Sequence, residues 1–81
     1  MQNADQPQLK TGLYRHYKGA DYEVLGVACH SETGEYLALY RPLYGEGGLW
    51  VRPLAMFSEE VEVAGARMPR FAYQGPMEKA D

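Results

Sequence analysis

The sequence offers few residues that could carry out covalent chemistry. Cys29 is the only cysteine of the chain, and His30 follows it directly. A cysteine nucleophile needs a base within hydrogen-bond distance, but adjacent residues of a strand point to opposite faces. His16 could approach Cys29 from another strand, yet no third residue that would orient it is evident. We therefore assign no catalytic residue and predict that Cys29 is a small core residue.

Metal binding and acid–base catalysis are also disfavoured. The one cysteine and two histidines of the chain show none of the paired spacings of zinc sites. Glu60 and Glu62 alternate with valines, which favours the solvated face of an edge strand over a catalytic carboxylate pair. We assign no metal ligand and no cofactor.

Arginine and aromatic residues are concentrated in the stretch LYRPLYGEGGLWVRPL, residues 39–54, which contains Arg-Pro-Leu twice. Because proline cannot donate to a ladder, each Arg-Pro pair marks where a strand stops pairing. The segment Gly-Glu-Gly-Gly lacks the Lys-Ser/Thr of a phosphate-binding loop and lies between two strands. Its glycines are better explained by positive φ angles in a hairpin connection.

Composition sets the class of protein. A chain of 81 residues with 46% hydrophobic residues forms one folded domain at most. Its net charge of −3 argues against indiscriminate nucleic-acid binding but permits a local basic patch. No basic start precedes an apolar run, and no apolar segment approaches the roughly 20 residues that span a bilayer. We expect a cytoplasmic protein with no membrane partner, in agreement with one unpaired thiol.

Short apolar runs separated by Gly and Pro predict an all-β sandwich or barrel. We expect a domain over residues 11–74, between flexible tails at 1–10 and 75–81. Gly26 within an otherwise regular strand indicates a bulge, which would switch the buried face partway along. The segment after Pro53 favours a single helical turn near 54–58.

The pairing register of the hairpin decides which residues it displays. If Leu39 faces Val51, then Leu37, Leu39, Leu49 and Val51 share one aliphatic face, and Tyr40 lies opposite Trp50. Burying these four side chains would stabilise the fold by about 1.5–3 kcal/mol each. The other register mixes leucines with arginine on both faces. We therefore predict the first register, with the aliphatic residues in the core.

That orientation would expose Tyr36, Tyr40, Trp50 and Arg52 on the opposite face. Such a surface suits flat partners, namely bases, proline rings or a guanidinium. The alternative is that the aromatic pairs only stabilise the sheet and are covered by the chain termini or by another subunit. The basic stretch Arg15-His16-Tyr17-Lys18 could line a groove beside the first strand, with His16 as a pH-sensitive donor, or it could be a strand end with exposed cations.

The segments 12–35, 37–57 and 69–71 closely resemble a small bacterial family of domains of unknown function, number 1653. The resemblance covers about residues 11–73 and rests on the ordered motifs HYKG, SET-G, YR-LYG and WVRP. It implies an SH3-like β-barrel roll of five or six antiparallel strands and no known activity. The residues that match the family motifs are His16, Tyr17, Lys18, Gly19, Tyr40, Arg41, Tyr44, Gly45, Trp50, Arg52 and Phe57.

Three functional hypotheses follow. The leading one is a non-catalytic binding module for a peptide or single-stranded nucleic acid, with the candidate residues His16, Lys18, Tyr36, Tyr40, Arg41, Tyr44, Trp50 and Arg52. The second is a structural domain whose aromatic face packs against an identical copy or a larger host protein. We expect the chain to be either a monomer or a homodimer. The third, an enzyme using Arg41, Arg52 and His16, is disfavoured because the two arginines fall on different faces in the preferred register.

Overall fold

The computed structural model describes residues 7–77. Within this range the chain forms seven strands and one short helix: β1 Gly12–His16, β2 Asp21–Cys29, β3 Tyr36–Pro42, β4 Trp50–Pro53, α1 Leu54–Phe57, β5 Glu60–Val63, β6 Ala66–Pro69 and β7 Phe71–Gly75. The predicted all-β class and the helical turn are confirmed. The structure has one strand more than the upper estimate, because residues 66–69 pair with β5 as an additional strand, β6. No helix in the described range is long and apolar enough to cross a membrane.

The strands form two antiparallel sheets. A five-stranded sheet has the order β4-β3-β2-β1-β7, and β5 pairs with β6 in a separate two-stranded sheet. The β5–β6 hairpin turns at Ala64 and Gly65, both with positive φ (53° and 83°), as a two-residue hairpin turn of this type requires.

The large sheet is curled. Arg52 and Phe71 lie on its two edge strands, β4 and β7, yet the Arg52 Cζ atom is 5.7 Å from the centre of the Phe71 ring. In a flat sheet these strands would be about 19 Å apart, and side chains stand roughly perpendicular to the sheet. The curl therefore brings the two edges towards each other over one concave face.

The predicted bulge in β2 is confirmed. The pairing between β2 and β3 shifts between Val24 and Gly26, so that Leu25 is the extra residue. Val24 pairs with Tyr40 before the shift, and Val27 pairs with Ala38 after it. The bulge thus keeps an apolar side chain of β2 over the concave face on both sides of the irregularity.

The hairpin register is confirmed, but its predicted orientation is wrong. Leu39 pairs with Val51 and Tyr40 pairs with Trp50, as expected. The aliphatic residues nevertheless face outwards, with Leu49 66% and Val51 54% exposed, whereas Tyr40 is only 3% exposed. Tyr36, Tyr40, Trp50 and Arg52 do share a face, but it is the concave face that carries the core.

Aromatic rings explain the reversal. The buried residues are Tyr14, Tyr22, Val24, Ala38, Tyr40, Phe57 and Phe71. An aromatic side chain buries about 150–250 Å², and paired rings add about 0.5–1.5 kcal/mol beyond their area. Rings from five different elements meet on the concave face, and together they outweigh the four aliphatic residues of one hairpin.

The helix α1 completes the core. It starts directly after Pro53 and places Phe57 against Phe71, with ring centroids 4.2 Å apart and planes 5° from parallel. Phe57 also contacts Tyr14 and Tyr40, at 5.5 and 5.4 Å between centroids. One short helical turn therefore fills the centre of the curled sheet.

The predicted tails, residues 1–10 and 75–81, lie mostly outside the described residues. Of their described parts, Leu9 packs against the core and Gly75 ends β7. The Tyr14 hydroxyl donates a hydrogen bond of 2.8 Å to the Lys10 carbonyl.

The orientation of the hairpin predicts a contrast between two alanine substitutions in paired strands. Tyr40→Ala should lower the free energy of unfolding by about 3–5 kcal/mol, because it removes a buried ring and leaves a cavity. Val51→Ala, on the exposed side, should change it by no more than about 0.5 kcal/mol. Urea unfolding followed by circular dichroism measures both, and a larger loss for Val51→Ala would contradict the orientation.

Candidate functional site

The open side of the concave face carries six side chains from five parts of the chain. We call it the aromatic cleft and define it by His16, Tyr22, Tyr44, Trp50, Arg52 and Phe71. Tyr22 and Phe71 are buried and form its floor together with Tyr40. The other four residues are half-buried or exposed and form its rim.

Trp50 supplies the largest ring of the rim. Its indole lies edge-on to Tyr40, with centroids 6.0 Å apart and an interplanar angle of 88°, and 6.3 Å from the Tyr22 ring. The residue is 43% exposed. One side of the indole is therefore supported by the core while the rest faces solvent.

Tyr44 is positioned by the glycine-rich loop of residues 43–49. Gly45 and Gly47 have φ angles of 61° and 74°, and these positive values confirm the role predicted for the glycines. The Tyr44 and Tyr22 hydroxyls lie 2.9 Å apart in a hydrogen bond. Burial and this hydrogen bond raise the pKa of Tyr22 to about 12, so the Tyr22 hydroxyl keeps its proton at physiological pH.

His16 closes the cleft on the β1 side. Its ring lies 4.9 Å from Phe71 and 4.6 Å from Tyr17. Its Nδ1 accepts a hydrogen bond of 3.1 Å from the Lys18 backbone N–H, which leaves the proton of the neutral ring on Nε2.

The electrostatic surroundings of His16 are positive. Burial lowers the pKa of His16 below its ordinary value of 6.5, and the nearby charges of Arg70, Lys18 and Arg52 lower it further. Because the pKa of His16 is lower in the folded protein, the neutral ring contributes to the stability of the fold. This contribution is complete above pH 6.5 and declines as the pH falls from there through the folded-state pKa. At neutral pH His16 is therefore an uncharged donor within a cationic environment.

Arg52 stands apart from the other arginines. Its Nε donates a long hydrogen bond of 3.4 Å to the Tyr40 hydroxyl. The other four arginines form ion pairs: Arg15 with Asp21, Arg41 with Glu23, Arg67 with Glu60 and Arg70 with Glu59, at 2.7–3.1 Å. Among residues 7–77, no carboxylate lies within ion-pair distance of Arg52.

The cleft brings together five of the eight residues predicted for the site. Four of them define it (His16, Tyr44, Trp50 and Arg52), and Tyr40 contributes to its floor. Lys18 adjoins them in the β1–β2 turn, with its Nζ 5.8 Å from the Tyr17 ring. Arg41 lies on the opposite face, where its Nε donates a 2.8 Å hydrogen bond to Glu23. The two arginines thus fall on different faces, as the register predicted, with the sides exchanged.

Tyr36 lies at the far end of β3 from the cleft. It lines a separate shallow pocket of about 370 Å³ with Pro7, Glu35, Leu54, Ala55 and Ser58. The predicted site residues therefore divide into a cleft group and two outliers, Tyr36 and Arg41.

Sequence reasoning missed Tyr22 and Phe71. Tyr22 alternates with Val24, and this period-2 pattern marks an inward-facing tyrosine. Phe71 reaches the cleft because β7 pairs with β1, more than fifty positions earlier in the sequence. No local pattern in the sequence indicates that pairing.

Cys29 and the metal-ligating residue types lie away from any reactive arrangement. Cys29 is exposed at the end of β2, so its prediction as a core residue is wrong, and its Sγ donates only a weak 3.8 Å contact to the His30 carbonyl. In the described part of the chain no three His, Cys, Asp or Glu side chains are grouped to hold a metal ion.

Removing a cation from the cleft should change the titration of His16. Arg52→Gln should raise the pKa of the His16 ring towards its ordinary value, because the Arg52 charge disfavours the imidazolium. Arg41→Gln, on the opposite face, should leave it unchanged. NMR titration of the ring protons measures both, and an equal response would contradict the placement of Arg52 beside His16.

Comparisons with known proteins agree with this architecture. Residues 12–73 match the family described as protein of unknown function (DUF1653). The crystal structure of a DUF1653 protein from Bordetella bronchiseptica is similar, with 38% sequence identity and a TM-score of 0.78 over 89% of this chain and 95% of that chain. Comparison with curated proteins gives no match. The match covers most of the strands and the whole aromatic cleft, and the chain belongs to the DUF1653 family.

Proposed function

We propose that the protein is a non-catalytic binding module whose aromatic cleft takes an extended ligand with flat or ring-shaped groups. Two ligand classes have this chemistry, a proline-containing peptide and a single-stranded nucleic acid. The observation that carries the proposal is the position of Trp50 and Tyr44. These residues are 43% and 49% exposed, and their rings lie beside the buried ring of Tyr22 in the floor.

The cleft is suited to binding because its floor is preorganised. Tyr22 contacts Tyr40 and Phe71 at 5.6 and 5.5 Å between ring centroids. These buried rings are held by the core itself, so a ligand would not have to order them on binding, and less affinity is lost to conformational entropy.

A binding role also accounts for the distribution of polar groups better than an enzymatic role. Arg41 and Arg52 lie on different faces and do not converge on one substrate. His16 is the one titratable imidazole in the cleft, and its Nδ1 is already used by the Lys18 backbone. We further propose that the protein works in the cytoplasm, where the exposed thiol of Cys29 would stay reduced.

NMR titration of ¹⁵N-labelled protein with two probes tests the proposal. The probes are a proline-rich decapeptide and a dT12 oligonucleotide. We expect saturable shifts at cleft residues with at least one of them. Trp50→Ala should weaken that binding by about 5- to 150-fold, because stacking on one aromatic side chain contributes about 1–3 kcal/mol.

Leu49→Ala is the matched control, because Leu49 precedes Trp50 and is 66% exposed. We expect it to bind like the wild type. The proposal would be wrong if neither probe caused saturable shifts, or if both substitutions weakened binding equally.

Self-association is the second candidate function, and one observation favours it. Leu39, Leu49 and Val51 form an aliphatic patch on the convex side of the edge strand β4 and its neighbour. Apolar patches of this kind mark contact surfaces, so a second copy of the chain is the partner that this candidate implies.

Sedimentation velocity at several concentrations tests the second candidate. A dimer formed through the patch should dissociate in Val51→Lys and persist in Trp50→Ala. A monomer at all concentrations would exclude self-association, and a dimer lost only in Trp50→Ala would place the contact in the cleft instead.

A further inference from the structure

We infer that the ligand of the aromatic cleft is single-stranded nucleic acid, with a base stacked on the Trp50 indole and a neighbouring phosphate bound by the Arg52 guanidinium. This inference rests on the proposed function and selects one of its two ligand classes. It is carried by the charges around the cleft, which the proposed function does not use.

Arg52 has no carboxylate partner among the described residues. Four of the five arginines are neutralised by a carboxylate, and Arg52 is the exception among residues 7–77. It is half-buried, with its guanidinium beside the Phe71 ring. A charge withdrawn from water in this way gains most from an anionic partner, and a planar guanidinium matches a phosphate through paired hydrogen bonds.

The charged side chains nearest to the cleft are cationic. Lys18 and Arg70 act on His16 together with Arg52. Within residues 7–77, Arg70 is the only one of these three cations that has an ion-pair partner, Glu59. None of the six residues that define the cleft is acidic. A proline-rich peptide is neutral at its prolines and would leave the charge of Arg52 unmatched, whereas a phosphate would neutralise it.

The distance between Trp50 and Arg52 along β4 matches the repeat of a nucleotide chain. Trp50 and Arg52 are alternate residues of β4, so their side chains project from the same face about 7 Å apart along the strand. This is about the length of one nucleotide unit, which allows one nucleotide to place its base on the indole while the adjoining phosphate meets the guanidinium. The exposed Tyr44 ring offers a second stacking surface.

These features favour a single strand over a duplex. Stacking on Trp50 needs an unpaired base, because the faces of paired bases are covered by their neighbours. Duplex binding instead depends on many phosphate contacts, and a protein of net charge −3 has no broad basic surface for them.

Fluorescence anisotropy with labelled dT12, rU12 and a proline-rich decapeptide tests the inference, using Arg52→Gln and the matched control Arg41→Gln. We expect at least one oligonucleotide to bind and the peptide to bind more weakly. Arg52→Gln should weaken oligonucleotide binding by about 10- to 100-fold, and Arg41→Gln by less than about twofold. A preference for dT12 or for rU12 would identify DNA or RNA as the source of the ligand.

The salt dependence gives a second readout. One or two phosphate contacts should weaken oligonucleotide binding about 3- to 7-fold between 50 and 200 mM salt. Arg52→Gln should reduce this dependence, while Arg52→Lys, which keeps the charge, should retain it. Circular dichroism verifies that each variant is folded, and Lys18→Gln replaces Arg52→Gln if the latter does not fold.

The outcomes separate the inference from the proposed function. If the peptide binds through Trp50 and neither oligonucleotide does, the inference is wrong and the proposed function stands. If none of the three probes binds, both are wrong. If an oligonucleotide binds but Arg52→Gln and Arg41→Gln weaken it equally, the assignment of the phosphate to Arg52 is wrong.

Discussion

The burial of aromatic rings on one face of the large sheet is the constraint on which the structure depends. A chain of this size has little apolar surface to bury, and five rings supply most of its core. The stack of Phe57 on Phe71, at 4.2 Å, joins the helical turn to the edge strand β7. Because rings from non-neighbouring strands must meet, the sheet curls, and the curl determines what the rest of the concave face can do.

The same face serves both as core and as candidate site. Its centre is closed by Phe57, but towards Trp50 and Tyr44 no element of the described chain covers the rings completely. The rim residues are therefore supported by the rigid core and remain exposed to solvent. Because one set of rings supports both the core and the rim, a small domain can present a preorganised surface without a separate subdomain.

Much of the local structure could be predicted from the sequence, because it depends on neighbouring residues. One residue type is enough to predict the bulge beside Gly26 and the strand ends at Pro42 and Pro53. One hairpin is enough to predict the Tyr40–Trp50 pairing. The orientation of that hairpin could not be predicted, because it depends on how many rings arrive on one face from elsewhere. Phe71 contributes through a pairing with β1 that leaves no local signal, so this part of the floor of the cleft was missed.

The structure groups the candidate residues as predicted where the grouping depended only on register, and differently where it depended on orientation. Trp50 and Arg52 were grouped correctly because they are alternate residues of one strand. Arg41 was included on the strength of its motif, but alternation with Tyr40 sends it to the convex face and to Glu23. Tyr36 shares the correct face and is excluded from the cleft by its distance along β3.

On the concave face the aromatic residues meet Arg52, while the aliphatic residues of the hairpin face outwards. A nuclear Overhauser spectrum of the free protein tests this arrangement most directly, because it reports which side chains are in contact. We expect cross-peaks from the Arg52 side chain and the Tyr40 ring to the Phe71 ring. We expect none from the methyl groups of Val51 to the Phe71 ring. Cross-peaks from the Val51 methyl groups to Phe71, with none from Arg52, would contradict this arrangement.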